Sequence, residues 1–193
     1  MPRRACLLAA LALGLGTAAC GSAPVDELPA PFGNAASTTV RADEGRLRAV
    51  LDPRARLVTL YAGARRRGTQ PAGVAPVGFV SNDRFRVFVA DAGSDGLLVY
   101  RLRPGFVLER RLRLRGQPYA LAADHERDRL YATLRTRDLV VELPDHGRPH
   151  VLKAFATPHR PERVTVDAGG VLTVTGSGGE RRRIDPRTAT PTP

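Results

Sequence analysis

The sequence predicts an all-β chain built from four-stranded blades of the β-propeller type, with about three and a half blades in view. Three observations carry this expectation. First, a proline followed six residues later by Asn or Asp recurs three times, as Pro76 and Asn82, Pro118 and Asp124, and Pro161 and Asp167, at spacings of 42 and 43 residues. Second, each copy is followed by two short runs rich in β-branched and aromatic residues, at 86–91, 129–133 and 171–175, then at 96–102, 138–143 and 180–184. Third, amphipathic runs of ten or more residues, which a helical solenoid of similar period would need, are missing from the sequence. A unit of this length with four short strands is the mark of a propeller blade.

Taken in order, the chain opens with an export signal. Arg3 and Arg4 supply a positive start, and residues 7–15 form an apolar run of Leu, Ala and Gly. That run is far shorter than the roughly 20 residues needed to span a bilayer, so 1–19 reads as a signal peptide to be removed. Thr17, Ala18, Ala19 and Cys20 resemble the bacterial lipobox, with Thr17 where that motif most often has Leu. The resemblance implies a lipid on Cys20 and an extracytoplasmic protein anchored to the bacterial membrane. The only other cysteine, Cys6, lies in the removed segment, so no intramolecular disulfide is expected, and acylation removes the hazard of a lone thiol. Residues 20–36 are rich in Pro, Ala and Gly and read as a tether, able to reach about 50 Å when extended.

Residues 37–185 form the expected repeat domain. Within it, 44–53 matches 95–104 and suggests an earlier copy of the third strand of a blade, with a fourth strand at 56–61. Further fourth strands are expected at 106–114 and 150–155. In the former, Leu112 and Leu114 alternate with Arg111, Arg113 and Arg115, as suits an edge strand that packs one face and charges the other. Residues 62–75 read as a loop with an insertion of about nine residues, and 186–193 as a disordered tail. Fourteen strands leave three assemblies open: a small ring with incomplete end blades, an open arc, or half a ring completed by a second copy. A monomer is the favoured expectation.

The stretches Phe88, Val89, Ala90, Asp91 and Tyr131, Ala132, Thr133, Leu134, each followed by a polar turn and a strand, resemble the lactonase-like propellers. These are built from repeats named for a Tyr-Val-Thr-Asn core. The resemblance covers roughly 37–185 and implies the propeller fold. Members of that group include sugar-lactone hydrolases, surface-layer proteins and binding or scaffold proteins, so the fold does not choose among activities.

Charge narrows the choice. The net charge is +11, and every basic residue except Lys153 is Arg. Abundant Arg, Ala, Gly and Pro reflect a GC-rich genome, so Arg content alone does not signal nucleic-acid binding. The chain has no Trp and no aromatic-interleaved stacking platform. No nucleic-acid partner is expected. The sharpest clusters are Arg65, Arg66, Arg67 and Arg181, Arg182, Arg183. The first lies in the loop that outgrows its repeat, which makes Arg65, Arg66 and Arg67 the candidate contacts for an anion or partner.

Other candidates are weaker. Residues 91–96 place Asp91 and Asp95 as in a calcium loop but lack ligands at the third and twelfth positions, so a strand-joining turn is expected. His146 and His150 are separated by Gly147 and Pro149, which removes the helical meaning of their spacing. Asp124, His125 and Glu126 occupy a turn without a nucleophile nearby in sequence. No metal, no cofactor and no catalytic residue is assigned. The expected function is a membrane-anchored binding or scaffold module for a protein or anionic envelope polymer. The alternative is a propeller-type hydrolase or lactonase using a divalent cation.

Overall fold

The computed structural model describes residues 37–193; the expected signal peptide, Cys20 and the tether lie outside the described residues. Fifteen strands make four antiparallel meanders. The first blade is β1 (Thr38–Ala42), β2 (Leu47–Asp52), β3 (Leu57–Ala62) and β4 (Arg65–Pro71). The second is β5 (Pro76–Ser81), β6 (Arg86–Asp91), β7 (Gly96–Arg101) and β8 (Val107–Arg113). The third is β9 (Pro118–Asp124), β10 (Arg129–Leu134), β11 (Leu139–Pro144) and β12 (Lys153–Ala156). The fourth has three strands, β13 (Pro161–Val166), β14 (Leu172–Gly176) and β15 (Arg181–Ile184).

The all-β propeller architecture is as expected, and the count is three full blades and one of three strands. Three assignments change. Residues 44–53 do not occupy the third place of a blade: β2 stands second in its sheet, between β1 and β3. The apparent match to 95–104 arose because Glu44-Gly45-Arg46-Leu47 and Asp95-Gly96-Leu97-Leu98 both pair a hairpin turn with an apolar run. The expected loop at 62–75 is in large part β4, the outermost strand, which sequence periodicity hid because Arg65, Arg66 and Arg67 offer no apolar alternation. The segment 186–193, expected as a disordered tail, is placed against the third blade. Thr192 N–H donates to Ala154 O at 2.7 Å, Lys153 Nζ donates to Pro186 O at 3.0 Å, and Ala189 packs among the apolar residues between the third and fourth blades.

The proline-to-Asn/Asp motif has a local cause. Pro76, Pro118 and Pro161 open the innermost strands, where a missing N–H costs no ladder bond, and a register shift next to each relieves the pairing. The Asn or Asp six residues on closes the following hairpin. Asn82 Oδ1 accepts from Arg84 N and Arg86 N at 3.1 and 3.0 Å, Asp124 Oδ1 from Arg127 N at 3.2 Å, and Asp167 Oδ1 from Val171 N at 2.9 Å.

Blades meet face to face through alternating residues. Val87, Val89, Leu98 and Tyr100 point toward the first blade and join Ala49, Leu51, Val58 and Leu60. Phe88, Leu97 and Val99 point the other way, into a second cluster with Leu130, Ala132, Leu143 and Val141. Tyr131, Val140 and Phe155 then meet Val164, Leu172, Val174 and Ile184 of the fourth blade. Strands such as β6 and β7 are therefore buried on both faces, which explains their nearly continuous apolar sequence. Each such side chain, once buried, contributes about 1.5–3 kcal/mol.

Linkers between blades are pinned by carboxylates. Asp95 and Asp138, both in the left-handed conformation, accept from Gln117 N at 2.8 Å and Arg160 N at 2.7 Å, the residues just before the next innermost strand. Arg56 holds the same turn position in the first blade and offers no acceptor of this kind. Fully buried Asp91 takes over there, accepting from Val74 N at 2.9 Å, Ala75 N at 2.7 Å and Ser94 Oγ at 2.5 Å. The innermost strands β1, β5, β9 and β13 stand side by side in that order, and no comparable contact returns β13 to β1 among the described residues, so the blades form an open arc.

Candidate functional site: an arginine-rimmed cleft between the first two blades

The candidate residues Arg65, Arg66 and Arg67 begin β4, and their placement follows from its pairing with β3. Arg65 lies opposite Ala62 and Arg66 opposite Tyr61; the register then shifts, leaving Arg67 as the extra residue of a bulge before Gly68 meets Leu60. All three are exposed, and none has a carboxylate partner among the described residues. With Arg103 they line a cleft of about 800 Å³ whose floor includes Leu47, Leu60, Leu102 and Phe106.

Both blades hold the cleft in shape. Gln70 Nε2 donates to Phe106 O at 2.9 Å, tying β4 to the 103–106 turn. Arg103 bridges to Asp43 at 2.5 Å, an ion pair in which the carboxylate is 7% exposed. Tyr100, whose hydroxyl is pushed up by burial, donates to Pro71 O at 2.5 Å at the end of the same strand. Arg48 stacks over Tyr61 with its guanidinium 4.4 Å from the ring centre. Three uncompensated guanidinium groups at the mouth of a rigid, apolar-floored cleft can attract and hold an acidic group, and Arg suits carboxylate and phosphate through paired donors.

Arg181, Arg182 and Arg183 form the exposed edge of the fourth blade and do not share this cleft. Two further basic clefts lie along the outer strands, one with Arg110, Arg111 and Arg148, the other with Arg113, Arg115 and Arg137. The Leu/Arg alternation of 111–115 carried the signal for the outer part of both.

The remaining candidates resolve into structural roles. Asp91 is the linker pin described above, and residues 92–94 form a single 3₁₀ turn. Asp124 holds Arg127 at 3.1 Å in a hairpin turn. His150 faces Arg148 O at 3.0 Å and His159 faces Asp138 at 3.1 Å, so neither joins His146. Sequence reasoning missed one grouping: ligand atoms of Asp128, Asp145 and His146 lie within 4.8 Å of one another. Asp128, however, also carries the Arg84 guanidinium at 2.7 Å, and Asp145 takes His146 Nδ1 at 2.9 Å. A cation there would have to displace an arginine from the neighbouring blade.

At the opposite ends of the innermost strands stand Val77, Tyr119 and Glu162. Glu162 is paired with Arg135 at 2.6 Å, and that guanidinium also lies 4.9 Å from the Tyr119 ring centre.

No protein-family model and no curated protein matches the chain. Solved structures do. The dihydro-heme d1 dehydrogenase NirN in complex with DHE superposes with a TM-score of 0.69 at 17% identity, over 83% of this chain and 37% of that one. The β-propeller domain of Cps50 (Swd1) from Myceliophteria thermophila gives 0.59 at 17% identity, over 80% and 53%. The nidogen/laminin complex gives 0.58 at 18% identity, over 77% and 59%. These similarities show the propeller fold, and the chain spans between about a third and three fifths of the length of these structures.

Proposed function

We propose that the chain is an extracytoplasmic lipoprotein of the lactonase-like repeat group, held to a membrane by a lipid on Cys20. Its arc of blades serves as a non-catalytic binding module for an acidic protein segment or anionic envelope polymer. The observation that carries the binding reading is the cleft rimmed by Arg65, Arg66 and Arg67, with unpaired charge above a fixed apolar floor. A fold shared with a propeller found in the nidogen/laminin complex is consistent with a binding role. The hydrolase reading has one foothold, the group of Asp128, Asp145 and His146, and the Arg84 ion pair on Asp128 weighs against it.

The test has two arms. Immobilised polyglutamate should retain the protein in a salt-sensitive manner, and replacing Arg65, Arg66 and Arg67 together by Gln should weaken retention on the order of 100-fold, from about 1 kcal/mol per charge. Unchanged retention would remove the cleft from the proposal. Separately, Cys20→Ala should move the protein from the membrane to the soluble fraction, and continued membrane retention would defeat the anchor.

A further inference from the structure

A second cavity, of about 270 Å³, lies between the third and fourth blades, remote in the fold from the arginine-rimmed cleft. Its chemistry is set by one cross-strand row. Tyr131 on β10 is registered opposite Glu142 on β11, and Glu142 opposite Lys153 on β12. All three line the cavity. The second blade carries the same row as Phe88, Val99 and Arg110. There Phe88 and Val99 are buried in the apolar cluster that joins it to the third blade. Glu142 thus stands where the preceding repeat places a core valine, and it is itself only 6% exposed.

Packing does not call for a carboxylate at that position. Glu142 Oε1 accepts from Arg129 Nε at 2.9 Å, whereas Oε2 has no hydrogen-bond partner among the described residues. A buried carboxylate oxygen left unpaired is destabilising unless something else donates to it. Lys153 is the single lysine of a chain that otherwise uses arginine for every positive charge. Its ammonium donates to Pro186 O and has two further N–H groups to offer. The Tyr131 side chain is buried against the fourth blade, and no hydrogen bond from its hydroxyl is made to the described residues.

The other cations at the cavity are engaged. Arg127 holds Asp124, Arg129 holds Glu142, and Arg187 forks onto Asp185. Gly170, with φ +80°, leaves room for the Arg127 guanidinium, which an added Cβ would meet at 2.8 Å. The surroundings therefore carry a small positive excess, with one buried carboxylate oxygen left without a hydrogen-bond partner inside them. Arg127, Arg129 and Arg187 are balanced by Asp124, Glu142 and Asp185, so Lys153 is the one surplus charge; a ligand ammonium would meet it, whereas a hydroxyl can donate to Oε2 without that cost.

We propose that this cavity binds a small hydroxylated carboxylate. Its acid group sits on Lys153 Nζ, and its hydroxyl donates to Glu142 Oε2 beside the Tyr131 hydroxyl. The cavity volume approaches the range of small-molecule sites, and the surplus positive charge selects an anion.

The test is calorimetric titration of the full chain with tartrate, succinate, erythritol and inorganic phosphate. Tartrate should bind about tenfold more tightly than succinate, which lacks the hydroxyls, or phosphate, and erythritol should not compete. Glu142→Val installs the residue of the second blade, so it should fold and lose tartrate binding by at least about tenfold. Lys153→Met, on an exposed outer strand, provides the same readout should Glu142→Val fail to fold. Equal binding of tartrate, succinate and phosphate, absence of tartrate binding, or wild-type affinity in both variants would overturn the site.

Discussion

Single side chains decide how the blades are joined. Asp91 replaces the turn carboxylate that Asp95 and Asp138 supply elsewhere, and it does so fully buried, with Gly73 directly against it. A Cβ on Gly73 would lie 2.2 Å from Asp91 Oδ2, at a residue whose φ of +100° already disfavours any side chain. Gly73→Ala is expected to lower stability sharply, and Asp91→Ala by about 2 kcal/mol, since it strands two part-buried backbone donors that were bound to a charge. Denaturant unfolding monitored by circular dichroism measures both, and a loss below about 1 kcal/mol for either would contradict this role. None of it was legible in the sequence. Asp91 drew notice there as part of a calcium-like spacing, and its partners at 74 and 75 lie in a stretch read only as loop. The same holds for Glu142, an ordinary acidic residue in an apolar run until the registers set it opposite Lys153.

At the level of elements, the periodic strands were readable because their interior positions alternate or are continuously apolar. The outermost strands were readable where apolar residues recur, as in the Leu/Arg alternation at 111–115 and in part at 150–155. β4 and the C-terminal segment were missed for the same physical reason: both are held by backbone hydrogen bonds and single contacts, with little apolar pattern. Asp185 organises that last segment, accepting from Arg187 N at 3.0 Å and from its guanidinium at 2.9 and 2.8 Å. The Arg187 side chain, foremost, holds the carboxyl down to about 2. A folded-state value below the unfolded one gives a contribution that is present above the usual carboxylate range and lost as pH falls through 2. The group is partly exposed and lies at the chain's last segment, so the expected sign is local. Amide signals of residues 186–192 should shift between pH 4 and pH 2 in the wild type and should already be shifted at pH 4 in Asp185→Asn. An unchanged tail in that variant would show that other contacts hold it.

Across the whole molecule, the open arc leaves two end faces, and both are polar. On the fourth blade, Arg163, Thr175 and Arg181 share one cross-strand row and Thr165, Thr173 and Arg183 the next. On the first blade, Arg41, Arg48, Tyr61 and Arg66 make the corresponding row. Stacking one end on the other would set arginine against arginine, so a second copy is a poor cover for either, and sedimentation should report a monomer over a wide concentration range. Repeats that touch only their neighbours should also fray from the ends. Hydrogen exchange is expected to be fastest in β13 to β15 and in β1, and slowest in β6, β7, β10 and β11. Uniform protection would mean that the four blades unfold as one unit.

The three apolar clusters each belong to two consecutive blades and to no others. A ring must fix its number of members before any of them fits; this arrangement carries no such arithmetic. One repeat of about 42 residues could be duplicated or deleted at an end with only one interface to rebuild. The length of the arc, and the number of basic clefts it displays, are then quantities that can change one repeat at a time.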